Sequence, residues 1–271
     1  MASEQYLNRG DAPFGDSVWD QIDQTVVAAA RGVMSGRRLL HATDLQGLGL
    51  KGLPFSDAAV SGETVKGVTV SSARMIPLAM IHSEFTLSVR DVAAYEQSGV
   101  PLDLTAAMQA AVALARQENQ IIFNGLAPLG LAGLLNTPGN RSVKLRPWNQ
   151  VGDAEQDVVN AVGELDAAGF SGPYSLALTS KSYNFLFRLY PQSELTELEH
   201  IRQIAADGVL KASAIPGGGV LVDTSGPFAV IVLGQDMMTS FVGPAAAHYQ
   251  FAILESVALW VRAPEAICVL K

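Results

Sequence analysis

Apolar residues at Trp19, Ile22, Val26, Ala30 and Val33 recur at three- and four-residue intervals, the spacing of one helix face. Val27 and Met34 widen that stripe. The pattern predicts a helix with two apolar contacts, lying on the body of the protein or also receiving a ligand. Asp16 or Ser17 is placed to cap it and Gly36 to stop it. Over residues 39–70 the periodicity fades and glycines gather at Gly47, Gly49, Gly52, Gly62 and Gly67, with β-prone runs at 64–70 and 79–89. Asp103 or Thr105 opens the longest predicted helix, running to about Phe123 with Gly125 beyond its end. Its alanine-rich body favours helix and close packing.

After a loop at 137–149, a second unit begins near Gly152. Helices are predicted at 154–168, 180–189 and 194–206, and strands at 174–179, 209–211, 220–223 and 229–233. From Met237 onward the pattern is β-rich, and 248–254 and 257–262 alternate well enough to pair. The whole is α+β, with no βαβ alternation and no internal repeat. A hairpin built from residues 50–74 would reach ~35–40 Å at about 3.3 Å per residue, against a radius of gyration of only ~18 Å for a globule of this length. Two-stranded ribbons are marginal alone, so this one needs a neighbour.

Composition sharpens that reading. The chain has 271 residues, 49% apolar and only 16% charged, below the usual quarter. So little charge implies surface destined for burial against other subunits, or else a large, well-packed single domain. The net charge of −8 argues against a phosphate-binding face, and no nucleic acid partner is expected. Cys268 is the only cysteine, which excludes intrachain disulfides, and its neighbours Ile267 and Val269 make it a core residue. There is neither a secretory signal nor an apolar run long enough for a bilayer, so a cytoplasmic protein with no membrane partner is expected.

Catalytic signatures are weak. Gly47-Leu48-Gly49-Leu50-Lys51-Gly52 fits a dinucleotide fingerprint by letters, but Pro54 opposes the helix that must follow. His41, His82, His200 and His248 are dispersed, and no metal-ligand spacing or nucleophile elbow is present. Glu118 reads as a solvent-facing or ion-paired helix residue.

Trp19 to Ile22 opens the first helix. Further along come Gly36-Arg37-Arg38, Ile76-Pro77-Leu78 leading into Phe85-Thr86-Leu87, and Ile121-Ile122-Phe123-Asn124-Gly125. Gly172-Pro173-Tyr174, Leu233-Gly234-Gln235-Asp236 and Pro264-Glu265-Ala266-Ile267 follow. In this order, over Leu7 to Lys271, they resemble the shell proteins of the family 1 encapsulins, the linocin-like proteins. The resemblance implies the α+β fold of tailed-phage major capsid proteins (Hong Kong 97-type). It assigns residues 1–40 to an N-terminal arm and helix, 41–75 to an extended loop, 76–151 with 226–271 to a peripheral domain containing the spine helix, and 152–225 to an axial domain.

The implied function is enclosure, not catalysis. The chain would be the protomer of an icosahedral homo-oligomer of about 60 copies. A cargo enzyme, such as a dye-decolorising peroxidase or a ferritin-like protein, would be held through its C-terminal peptide, and pores would admit small solutes. The resemblance places the cargo peptide against Ala30, Met34, Arg37, Leu39 and His41, with Phe241 and Ile253 opposite; Arg37 can hold a carboxylate or carbonyl. Ordinary core roles are equally open to these residues. Tyr190, Gln192, Ser193, Glu194 and Glu197 match the segment around a five-fold pore, where repeated acids would gather cations. Gly52, Phe55, Val60, Val65 and Val68 fall in the loop that crosses a neighbouring subunit. Some relatives stack a flavin on a Trp after the Phe-Thr-Leu stretch; here the position lies near Arg90, without a Trp, and no cofactor is expected. The alternatives are a phage or prophage major capsid protein, or an enzyme of the protease or bacteriocin type.

Overall fold

A computed structural model describes residues 6–59, 71–191 and 194–271, with backbone alone for 56–59 and 71. Helix α1 spans Asp16–Val33 and buries Val18, Trp19, Ile22, Val26 and Ala30, the stripe expected from the spacing. Its start differs from the expectation. Gly15 is the N-cap, with its N–H donated to Glu96 Oε1 at 2.9 Å, and Asp16 sits in the first turn, where its charge suits the helix dipole. The stop differs too: α1 ends before Met34, and Gly36 opens a short helix α2, Gly36–Leu39.

Strands β1 (Gly52–Ala59) and β2 (Ser71–Pro77) pair antiparallel from Gly52↔Pro77 to Ala59↔Ser71, with an irregularity between Pro54 and Ser56. Among the described residues this ribbon pairs with no other sheet. Phe55 meets Trp260 edge-on at 6.5 Å between ring centroids, yet Phe55 and Met75 remain 41% and 56% exposed. Val60, Val65 and Val68 lie outside the described residues.

Strand β3 (Ala79–Ser88) leads directly into α3 (Val89–Ser98), a helix the sequence pattern did not announce; Ser88 caps it by accepting the Arg90 N–H. The long helix α4 runs Thr105–Asn124 as expected, and β4 (Arg141–Val143) lies inside the predicted loop. Next come α5 (Asp153–Ala167), β5 (Tyr174–Leu178), α6 (Ser180–Phe185), α7 (Glu197–Ile204), β6 (Gly208–Lys211) and β7 (Gly219–Asp223). The chain closes with β8 (Ala229–Ala245), β9 (His248–Val261) and β10 (Ile267–Leu270).

The segments expected as two paired strands at 248–254 and 257–262 are one strand, β9, hydrogen-bonded to β3 on one side and β8 on the other. Glu255 and Ser256, the two residues between those segments, are both buried within the strand. Ser256 Oγ accepts the Gln235 N–H at 2.8 Å, at a bulge in β8. Helices α1 and α4 pack with this three-stranded sheet around Trp19, Ile22, Leu114, Phe85, Phe251 and Ile253.

The second sheet has the order β4-β10-β7-β5-β6. Its inner strands β5, β7 and β10 are buried along their whole length, as strands covered on both faces must be. Cys268 lies in β10, and burial pushes its thiol up to about 12. The expected boundaries put residues 226–271 with the first unit; hydrogen bonding instead seats β10 in the second sheet, between β4 and β7. A four-residue strand carries no sign of its partner in its own sequence. One core runs through both units, joining Leu39, Ile122 and Ile231 to Val220, Val222 and Ile267.

Candidate functional site

The end of α1 is shaped by α4. Buried Asn119 accepts the Gly36 N–H through Oδ1 at 2.9 Å and donates from Nδ2 to the Val33 carbonyl at 2.9 Å. One side chain thus serves the last turn of one helix and the first of the next, where backbone groups lack partners. Gly36 is there for space: a Cβ would come 2.5 Å from Ile122 Cδ1. This corner throws Arg37 inward, beneath the C-terminal half of α1.

Arg37 Nε donates to both Glu118 oxygens at 3.1 Å, Nη1 donates to Asp236 Oδ1 at 2.7 Å, and Nη2 donates to Glu255 Oε1. Glu118 and Glu255 are both 0% exposed. Burial opposes the Arg37 charge, but the carboxylates outweigh it and hold its pKa above the ordinary arginine value. Glu255 is pushed up to about 9, first by burial and then by the charge of Glu118. Both effects favour the protonated carboxyl. Glu118 is the ion-paired residue of the two expectations, not the solvent-facing one.

Above this cluster opens a groove of about 490 Å³ between α1 and the bulge of β8, lined by Val27, Ala30, Arg31, Met34, Arg37, Arg38, Asp236 and Met237. Its floor is apolar: Ala30, Met34 and Met237 also touch Val33 and Ala115. Of the expected dock residues, Ala30, Met34 and Arg37 meet here. Arg37 departs from its expected task, because its donors are taken by the chain's own carboxylates.

Leu39 is in the central core. His41 is exposed and borders a separate cavity with Ser175, Asp207 and Thr224; its carbonyl accepts the Ile231 N–H. Phe241 and Ile253 are buried core residues that do not line the groove. The N-terminal arm covers that part of the cleft. Leu7 is fully buried and its carbonyl accepts the Phe241 N–H at 2.9 Å. Phe14 packs against Trp19 at 5.5 Å, Phe241 at 6.1 Å and Phe251 at 6.0 Å. Arg9 latches the arm, donating to the Thr239 carbonyl and to Asp23, with its guanidinium 4.4 Å from the Trp19 ring.

Val27, Arg31, Arg38, Asp236 and Met237 were absent from the expected dock. Val27 lies with Met34 on the second stripe of α1, a signal that was present in the spacing, and Arg31 stands one turn beyond Val27. Asp236 and Met237 arrive through the β8 bulge, which local sequence does not disclose.

In the expected pore segment, Gln192 and Ser193 lie outside the described residues. Tyr190 bonds Glu155 and packs its ring against His200 at 4.4 Å; Glu194 is exposed. Glu197 corrects the expectation of a row of free acids. It is 0% exposed, ion-paired to Arg188 at 2.7 Å, and accepts the Gly152 N–H at 2.7 Å. Helix α7 starts at Glu197 because Thr196 and Glu199 form a capping box. Hydrogen bonds from Thr196 hold the Glu199 carboxyl below its ordinary value.

The glycine-rich stretch at 47–52 is followed by strand β1, and the segment before it lies along the edge of β8, with Thr43 N–H on the Ile231 carbonyl and Gln46 N–H on the Leu233 carbonyl. No dinucleotide cradle forms there. Among the described residues no cluster of His, Cys, Asp and Glu could hold a metal, and no helix is long and apolar enough to cross a membrane.

The chain matches the family described as "Encapsulating protein for peroxidase" over residues 4–258. It is 31% identical over 276 residues to the type 1 encapsulin shell protein EncA of Myxococcus xanthus, covering 98% of this chain and 96% of that one. The virus-like particle from Pyrococcus furiosus superposes with a TM-score of 0.74 at 21% identity, over 94% of this chain and 99% of that one. The capsid of Myoviridae phage XM1 superposes at 0.60 and 14% identity, over 85% and 88%. The two superpositions give the fold, the Hong Kong 97-type capsid architecture. The family match and the Myxococcus relative give the membership: the chain belongs to the type 1 encapsulin shell proteins, a structural family and not an enzymatic one.

Proposed function

We propose that this chain is the wall subunit of a closed cytoplasmic nanocompartment of about 60 copies, and that the groove between α1 and β8 holds the C-terminal peptide of an enclosed protein. The groove carries this reading. An apolar floor with two methionines, which adapt their shape, suits a short peptide of Leu, Ile and Gly. The unpaired ribbon β1–β2, with Phe55 and Met75 exposed, supports packing against further copies. A peroxidase is the cargo favoured by the family's description; a ferritin-like protein is the other class expected from the resemblance.

Electron microscopy of the purified product, with mass spectrometry of its contents, tests both halves. Closed particles holding a peroxidase or ferritin-like protein are expected, and Met34→Asp should leave the particles closed but empty. A monodisperse monomer would overturn the wall reading. Undiminished cargo in the Met34→Asp particles would overturn the dock, and packaged DNA would favour a capsid role instead.

A further inference from the structure

The groove contains two guanidinium groups that pair with no carboxylate among the described residues. Arg37, at its base, is held by three of the chain's own carboxylates, Glu118, Asp236 and Glu255. Arg31, in the last turn of α1, and Arg38, in α2, are exposed and line the same groove. Among the described residues, neither has a carboxylate within ion-pair distance. Asp236 is the acid on this wall, and it is engaged by Arg37. Arg38 also borders the neighbouring cavity that contains Asp207, without pairing to it. Two positive charges without an ion-pair partner among the described residues therefore flank an apolar trough, on a chain whose net charge is −8.

That arrangement selects its occupant. A ligand recognised by apolar side chains in the trough must present negative charge at its rim, and a peptide that ends a chain always carries one in its α-carboxylate. Guanidinium groups bind carboxylates through paired, charge-assisted hydrogen bonds, and capture of a terminal carboxylate is a recurrent way of reading a peptide end. We infer that Arg31 and Arg38 clamp the free α-carboxylate of the docked peptide, so that the groove accepts a chain terminus and rejects the same sequence placed internally. The inference rests on the peptide-dock reading and adds polarity and an end requirement to it. It moves the carboxylate-binding role from Arg37 to Arg31 and Arg38.

The test uses whole shells. A fluorescent reporter protein ending in Ser-Gly-Leu-Gly-Val-Gly-Leu-Gly-Ile is co-expressed with the shell, in parallel with a reporter carrying that segment followed by Gly-Ser-Gly-Ser. Fluorescence per particle is read after sizing. The free-ended reporter should load at least about tenfold better, the size of one charge-assisted contact. The paired substitution Arg31→Gln with Arg38→Gln should remove the preference while particles still form, since both side chains are exposed. Arg31→Lys with Arg38→Lys should restore part of it.

Equal loading of both reporters by the native shell, abolished by Met34→Asp, would leave the dock standing and overturn the clamp. Loading of the extended reporter restored by an Asp within the segment would assign the arginines to an acidic side chain and also overturn it. If neither reporter loads, or loading ignores Met34→Asp, the dock fails and the clamp with it.

Discussion

The most incisive change is Glu255→Gln. Glu255 lies in the middle of β9 with no exposure; its Oε1 accepts from Arg37 while its Oε2 is buried without a hydrogen-bond partner. An ionised oxygen in that position would be uncompensated, and burial together with the nearby Glu118 charge pushes the carboxyl up to about 9 from 4.5. The folded chain therefore binds a proton that the unfolded chain has released. Because the folded pKa is the higher one, the stabilisation is complete below about 4.5 and is lost as pH rises towards 9. Between those limits wild-type stability should fall by up to ~1.4 kcal/mol per pH unit from this group alone.

Glutamine mimics the protonated acid: it accepts from Arg37 and cannot ionise. The stability of the variant relative to wild type should therefore rise by roughly 2 kcal/mol between pH 7 and pH 9, or about 5–9 °C in melting temperature. Intrinsic-fluorescence melting of wild-type and variant particles across that range measures it. Curves that run parallel from pH 7 to 9 would show that Glu255 carries no proton and that the cluster is an ordinary ion-paired set.

Other expectations concern packing, assembly and permeability. Gly36→Ala forces a Cβ against the buried Ile122 and should cost about 1–3 kcal/mol, visible as a lowered melting temperature. Arg188→Met leaves Glu197 buried without its cation and should cost roughly 3 kcal/mol; hydrogen exchange should locate the loosening at α7. Replacing Phe55 and Met75 together with Ser should leave folded subunits that fail to close, read by sizing chromatography, and normal particles would rule out the ribbon's role. Glu194→Lys should slow cation entry into loaded particles at unchanged assembly, and identical uptake would remove Glu194 from the pore.

Helices α1 and α4 were legible because each carries a sustained 3.6-residue stripe, and β5 and β7 because they are short apolar runs between turn residues. The second stripe on α1, through Val27 and Met34, even marked the wall of the groove. The opposite wall was not legible. Phe241 and Ile253 have the residue types of a dock, and nothing near them in sequence says that Leu7, Arg9 and Phe14 fold back to cover them. Glu197 looked like a pore acid beside Glu194 until the fold brought Arg188 and the Gly152 N–H to it.

The chain's own residues therefore determine the class of fold and the long helices. These follow from periodicity and chain geometry, which act over a few residues. Tertiary structure alone decided which arginine the buried carboxylates hold, which acids are buried, and where the groove ends. Those outcomes depend on which distant segments meet in a low-dielectric interior: Arg37 with Glu118, Asp236 and Glu255, from three separate elements. A charge has no fixed role until its partners are in place.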